Sequence, residues 1–157
     1  MNHRFLKGAL ALSLLAGFSS VEAKDLITAE DPEAILEIAK GFGSARLKTD
    51  SQGDPLIVGR IDGTRYGIYF YGCDDNHRHC DDIKFGAAWS GKKISLKELN
   101  NWNRTKRYGT AYQDSDGDPN LDMPVNLDYG VTVENLEDDF SFWEKVIKAF
   151  KREVLKI

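Results

Sequence analysis

The 157-residue sequence is short of cysteine (two), histidine (three) and proline (four), and it has no excess of basic residues. Each shortage excludes a class of protein. Four prolines and 14 glycines are too few for a collagen-like or low-complexity chain. With 21 Lys+Arg against 25 Asp+Glu the formal net charge is −4, which lacks the basic footprint of a nucleic-acid binder. Ser90 stands in Trp89-Ser90-Gly91, without the leading glycine of a nucleophile elbow. Gly41-Phe42-Gly43 lacks the third glycine and the preceding strand of a dinucleotide fingerprint, and reads as a helix terminator. Histidine is too scarce for triad chemistry, because His77 and His79 share one charged loop and His3 lies at the N-terminus. Asp114, Asp116, Asp118, Asn120 and Asp122 alternate like calcium-loop oxygen ligands. An EF-hand, however, needs Gly sixth and Glu twelfth from Asp114, where Pro119 and Val125 stand, so this stretch reads as a solvated turn. Paired carboxylates are the one hydrolytic route left open. The expectation is a protein that is not an enzyme and has no cofactor.

What is present describes one domain: 41% hydrophobic and 29% charged residues over a length that can bury a single core. Arg4 and Lys7 precede an uncharged run at 8–18 and then Val21-Glu22-Ala23, with small side chains three and one residues before the expected cut. This pattern predicts a cleaved secretory signal peptide over 1–23, a single domain over 24–157, and a periplasmic or secreted location. The apolar run is too short to span a membrane, which needs about 20 helical residues, and no later segment is longer. No membrane span is expected after cleavage.

Export gives Cys73 and Cys80 an oxidising compartment, which favours a disulfide. The pair brackets six polar residues between two strand-like runs, so a bridge would staple one hairpin, worth about 2.5 kcal/mol on the chain-entropy model. The alternative is a metal site of Cys73, His77, His79 and Cys80, with Asp74 or Asp81 beside them, since two thiols and two imidazoles are zinc or copper ligands. Their spacing matches no zinc signature, and adjacent His79 and Cys80 would strain to reach one centre.

Along the chain, Asp31-Pro32-Glu33 opens a first helix through about Phe42. Strand-like segments follow at 45–50, 56–61, 65–71 and 83–89, with Asp62-Gly63 as a two-residue hairpin turn. On 65–71, Tyr66, Ile68 and Phe70 share one face and Tyr69 and Tyr71 the other, which suggests cover on both. Ser95 and Glu98 have capping-box spacing for a second helix to about Arg104. Strands at 110–113 and 121–128 come next, and Pro124 predicts that the latter is an edge or has a free flank. Thr132 opens a long helix on which Leu136, Phe140, Trp143, Ile147, Phe150 and Val154 form one stripe. The order α-β-β-β-β-α-β-β-α is that of an α+β domain with helices packed on an antiparallel sheet.

Trp89, Trp102, Tyr108, Tyr112 and Trp143 exceed what one small core needs, and surface Trp and Tyr anchor protein interfaces. The segments Tyr69-Phe70-Tyr71-Gly72-Cys73, Cys80, 99–103, 107–114 and 128–132 together resemble the YbjN domain family across about 26–154. The resemblance implies a fold like the type III secretion chaperones, a sensory-transduction-regulator label that names no chemistry, and no catalytic residues. It places the family's Asn-Trp-Asn segment on Asn101-Trp102-Asn103 and its Arg-aromatic-Gly segment on Arg107-Tyr108-Gly109. The expectation is an exported module that binds a protein partner, or a second copy of itself as a dimer. Trp89, Trp102, Asn103, Arg107 and Tyr108 are the candidate contacts; the alternative reading is that the aromatic residues pack helices on the sheet and that Asn101, Asn103 and Arg107 fix the second helix to the next strand through hydrogen bonds.

Overall fold

The computed structural model describes residues 26–157, so the expected signal segment, 1–23, lies outside the described residues. Helix α1 (Pro32–Gly41) starts where the Asp31 side chain accepts the Ala34 N–H at 2.9 Å and Pro32 supplies a preset φ. Four strands follow as a meander: β1 (Ser44–Thr49), β2 (Pro55–Ile61), β3 (Thr64–Tyr71) and β4 (Asp82–Ala88). Asp62 and Gly63 join β2 to β3 with positive φ at both residues (46° and 72°), the conformation of a type I′ hairpin. Helix α2 (Leu96–Thr105) has a complete capping box: Glu98 N–H donates to Ser95 Oγ, and Ser95 N–H to the Glu98 carboxylate. Strands β5 (Thr110–Gln113) and β6 (Pro119–Asn126) precede α3 (Val133–Phe150), whose last turn widens into a π-helical turn at Lys151–Leu155.

The six strands form one antiparallel sheet in the order β1-β2-β3-β4-β6-β5. Strand β6 is therefore interior, so of the two arrangements that Pro124 predicted, an edge strand or a free flank, the first does not hold. Pro124 is still accommodated, because β5 reaches along β6 only from Pro119 to Asp122 and leaves the flank of 123–126 without a strand.

All three helices feed a single core on one face of the sheet. The α3 stripe is wholly buried, as its 4,3,4,3,4 spacing requires, and the π-helical turn brings both Val154 and Leu155 inward. Aromatic rings knit the layers. Phe85 meets Phe140 edge-on at 4.9 Å and Trp143 at 5.6 Å, while Phe150 lies between Trp89 at 5.3 Å and Trp102 at 5.1 Å. Trp143 is fully enclosed, and its indole N–H has no hydrogen-bond partner among the described residues.

Candidate functional site

The candidate contacts divide into core and surface. Trp102 is only 3% exposed, and its indole N–H donates to Gly109 O at 2.7 Å, so it fastens α2 to the start of β5 rather than facing a partner. Trp89 is half-buried against Phe150. Asn103 presents its amide to β5: Nδ2 donates to Ala111 O at 2.9 Å and Oδ1 accepts the Ala111 N–H at 2.8 Å, a two-point clamp that replaces a missing neighbour strand. Asn103, Arg107 and Tyr108 all lie exposed at the surface. The Tyr108 ring stacks on Phe142 at 4.6 Å, with the Arg107 guanidinium 5.5 Å from its centroid.

Cys73 and Cys80 are joined as a disulfide. The loop it closes is held by Asp74, whose Oδ1 accepts the N–H groups of Asn76 and Arg78, and its two imidazoles point at different elements. His77 Nδ1 lies 2.8 Å from Asp54 Oδ1 in the β1–β2 turn, and His79 Nδ1 lies 3.2 Å from Glu30 Oε2 before α1. With both sulfurs spent on each other and the rings pairing with separate carboxylates, Cys73, His77, His79 and Cys80 do not converge as ligands. No cluster of three or more potential metal ligands occurs among the described residues. In the 114–122 stretch Asp114 Oδ1 accepts the N–H groups of Asp116 and Asp118, which makes these carboxylates turn formers.

A cleft of about 670 Å³ between α2 and the π-helical turn holds two carboxylates, Glu98 and Glu153. Hydrogen bonds from the Ser95 hydroxyl and backbone hold Glu98 below the usual carboxylate range. Those from Lys106 and Arg152 do the same for Glu153. Carboxylates kept ionised in this way make poor proton donors and weak bases near neutral pH.

A different surface emerges from the register. Residues of opposite parity to the core line the second face of the sheet, and no helix among the described residues covers it. Tyr69, Tyr71 and Tyr112 stand there 36%, 41% and 41% exposed. At its centre Gly67 of β3 pairs directly with Gly86 of β4, and the Tyr69 ring lies across both. A Cβ on Gly67 would come within 2.9 Å of Tyr69 Cε2, and one on Gly86 within 3.2 Å. Beside this floor Lys84 Nζ reaches Asp122 Oδ2 at 3.0 Å and lies 5.1 Å from the Tyr71 centroid and 5.9 Å from that of Tyr69. Partial burial disfavours the Lys84 charge, but hydrogen bonds to Tyr71 and Asp122 together with the Asp122 charge outweigh it and raise the pKa. Burial, then the adjacent Asp122, raises that of Tyr112. The result is a fixed ion pair ringed by aromatic side chains, one of which lies flat over the two buried glycines, a surface suited to binding. Tyr69 and Tyr71 carried a sequence signal, since they alternate with core residues, but their face is open where cover was expected.

The YbjN family model, described as "Putative bacterial sensory transduction regulator", matches residues 31–156. No curated protein matches the chain.

Proposed function

Since the chain belongs to the YbjN family, we propose that it is an exported, non-enzymatic regulator that works by binding another protein through the open face of its sheet. The observation that carries this reading is the trio of exposed tyrosines around the Lys84–Asp122 pair and the Gly67–Gly86 floor. Exposed aromatic side chains that are already rigidly placed lose little conformational freedom on binding, and they dominate protein interfaces. The missing Cβ atoms of Gly67 and Gly86 let the Tyr69 ring lie flat on the sheet, which holds it in place. The export component rests on the N-terminal segment, with its basic start, short apolar run and small residues before the expected cut.

In-cell crosslinking tests the reading. The full-length chain, tagged at its C-terminus, is expressed in its source organism and crosslinked. The captured proteins are then identified by mass spectrometry for the parent and for Tyr69→Ser/Tyr112→Ser. One protein enriched by the parent and reduced about tenfold by the double variant, which stays folded at the growth temperature, is the expected result. Equal capture by both chains, or none above background by the parent, overturns the proposal. Recovery of the tagged chain from the periplasmic fraction, shortened by its first 23 residues, checks the export component.

A further inference from the structure

Resting on the open-face reading and deepening it, we infer that the β1–β3 end of that face receives the carboxylates of an acidic segment of the partner protein. A hollow of about 260 Å³ opens there, lined by Arg46, Arg60 and Arg65 with Ser44 and Val58, and no acidic residue contributes to its wall. The two-residue turn fixes the register so that Arg60 and Arg65 are directly opposed across β2 and β3. Arg46 faces Val58, one diagonal step from Arg60, and Lys48 continues the row along β1. Like charges placed directly opposite in an antiparallel pair destabilise a sheet. No carboxylate relieves them. Among the described residues none of these three guanidiniums forms an ion pair, although the chain carries a formal charge of −4 and other cations do pair, as Lys84 does with Asp122 and Lys106 with Glu153. Arg60 Nη1 donates to Gly63 O at 3.1 Å, which leaves its other N–H groups free.

Chemistry and shape select the occupant. Guanidinium forks bind carboxylates in a planar, two-point fashion, and three unneutralised forks around one hollow leave a positive potential that an acidic side chain cancels. The next hollow along the face, which shares Val58 and Arg65 with the first, is lined by Leu56, Gly67, Tyr69 and Gly86 and takes apolar groups. The matching ligand is therefore an extended segment with a few acidic residues followed by apolar or aromatic ones. A long polyphosphate backbone fits poorly, because the unpaired arginines are confined to one end of the face, Lys84 at the other end is neutralised by Asp122, and the net charge of the chain repels polyanions.

The probe is a fluorescein-labelled peptide of several glutamates followed by leucine and phenylalanine, titrated into the full-length chain and followed by anisotropy. Expected are binding that weakens as salt is raised, a loss of about tenfold in Arg60→Gln/Arg65→Gln, and no binding of the corresponding lysine peptide. The double variant should melt at or above the parent temperature, because the opposed pair is gone, so lost binding will not reflect unfolding. Equal affinity of parent and double variant overturns the inference. So does displacement of the peptide by equimolar inorganic phosphate, or stronger binding of single-stranded DNA or phosphatidylglycerol vesicles. Crosslinked capture that depends on Tyr69 and Tyr112 but not on Arg60 and Arg65 overturns this inference while leaving the open-face reading intact.

Discussion

On β3, Tyr66 and Tyr69 stand three residues apart and cover glycines on opposite faces of the same sheet. Tyr66 points to the core, where its ring fills the space beside its cross-strand partner Gly59: a Cβ there would meet the ring at 2.7 Å. It is 2% exposed, and burial pushes its hydroxyl up to about 12. Tyr69 covers Gly67 and Gly86 in the same manner but keeps a third of its surface in water. One local device, an aromatic ring laid over strand glycines, thus closes a core on one face and furnishes a receiving surface on the other. The difference lies in what is stacked above. Phe140 and Trp143 of α3 seal the first face, and no element of the described chain seals the second.

The widest separation between the faces should come from neighbours on β4. Phe85→Ala is expected to cost about 3–5 kcal/mol by opening a cavity between Phe140 and Trp143, whereas Lys84→Ala on the open face should cost about 1 kcal/mol or less. Denaturant midpoints measure both, and similar losses would erase the distinction. Next, alkaline titration sharpens it. The folded state keeps the Tyr66 proton more tightly than the unfolded chain does, so stability falls as pH rises from about 10 towards 12, by up to about 2–3 kcal/mol. Tyr66→Phe should flatten that fall and leave the neutral-pH midpoint nearly unchanged, and an undiminished alkaline loss would assign it elsewhere. The smallest effect is expected at Tyr69→Ala, about 1 kcal/mol or less, because the ring is partly hydrated and packs mainly on backbone. A loss as large as that of Phe85→Ala would mean that Tyr69 belongs to the core.

Features governed by near neighbours were legible in the amino-acid order. The Asp31 cap, the Ser95–Glu98 box, the Asp62-Gly63 turn and the α3 stripe all act within one or two turns of chain, where spacing alone decides the geometry. The Cys73–Cys80 link was legible from the expected oxidising compartment and from there being no other cysteine to pair with. The binding surface was less so. An abundance of Trp and Tyr says nothing about which side of an element they occupy, and Trp102, expected at an interface, is instead tied to Gly109 inside. Asn103 was open to two readings, a partner contact or a tie from the second helix to the next strand, and its amide makes the tie to β5. The Gly67–Gly86 floor and the convergence of Arg46 on Arg60 and Arg65 depend on alignment across strands separated by loops whose lengths do not announce the register. Only the opposition of Arg60 and Arg65 could have been counted out from the tight turn between them.

The Tyr69 ring over its two glycines also limits how this surface can vary from one generation to the next. A methyl group added at Gly67 or Gly86 displaces the ring, while a smaller residue at 69 leaves two bare glycines without the cover that steadies them. Each single step away costs contact between ring and backbone, so the three positions form one steric unit on the open face.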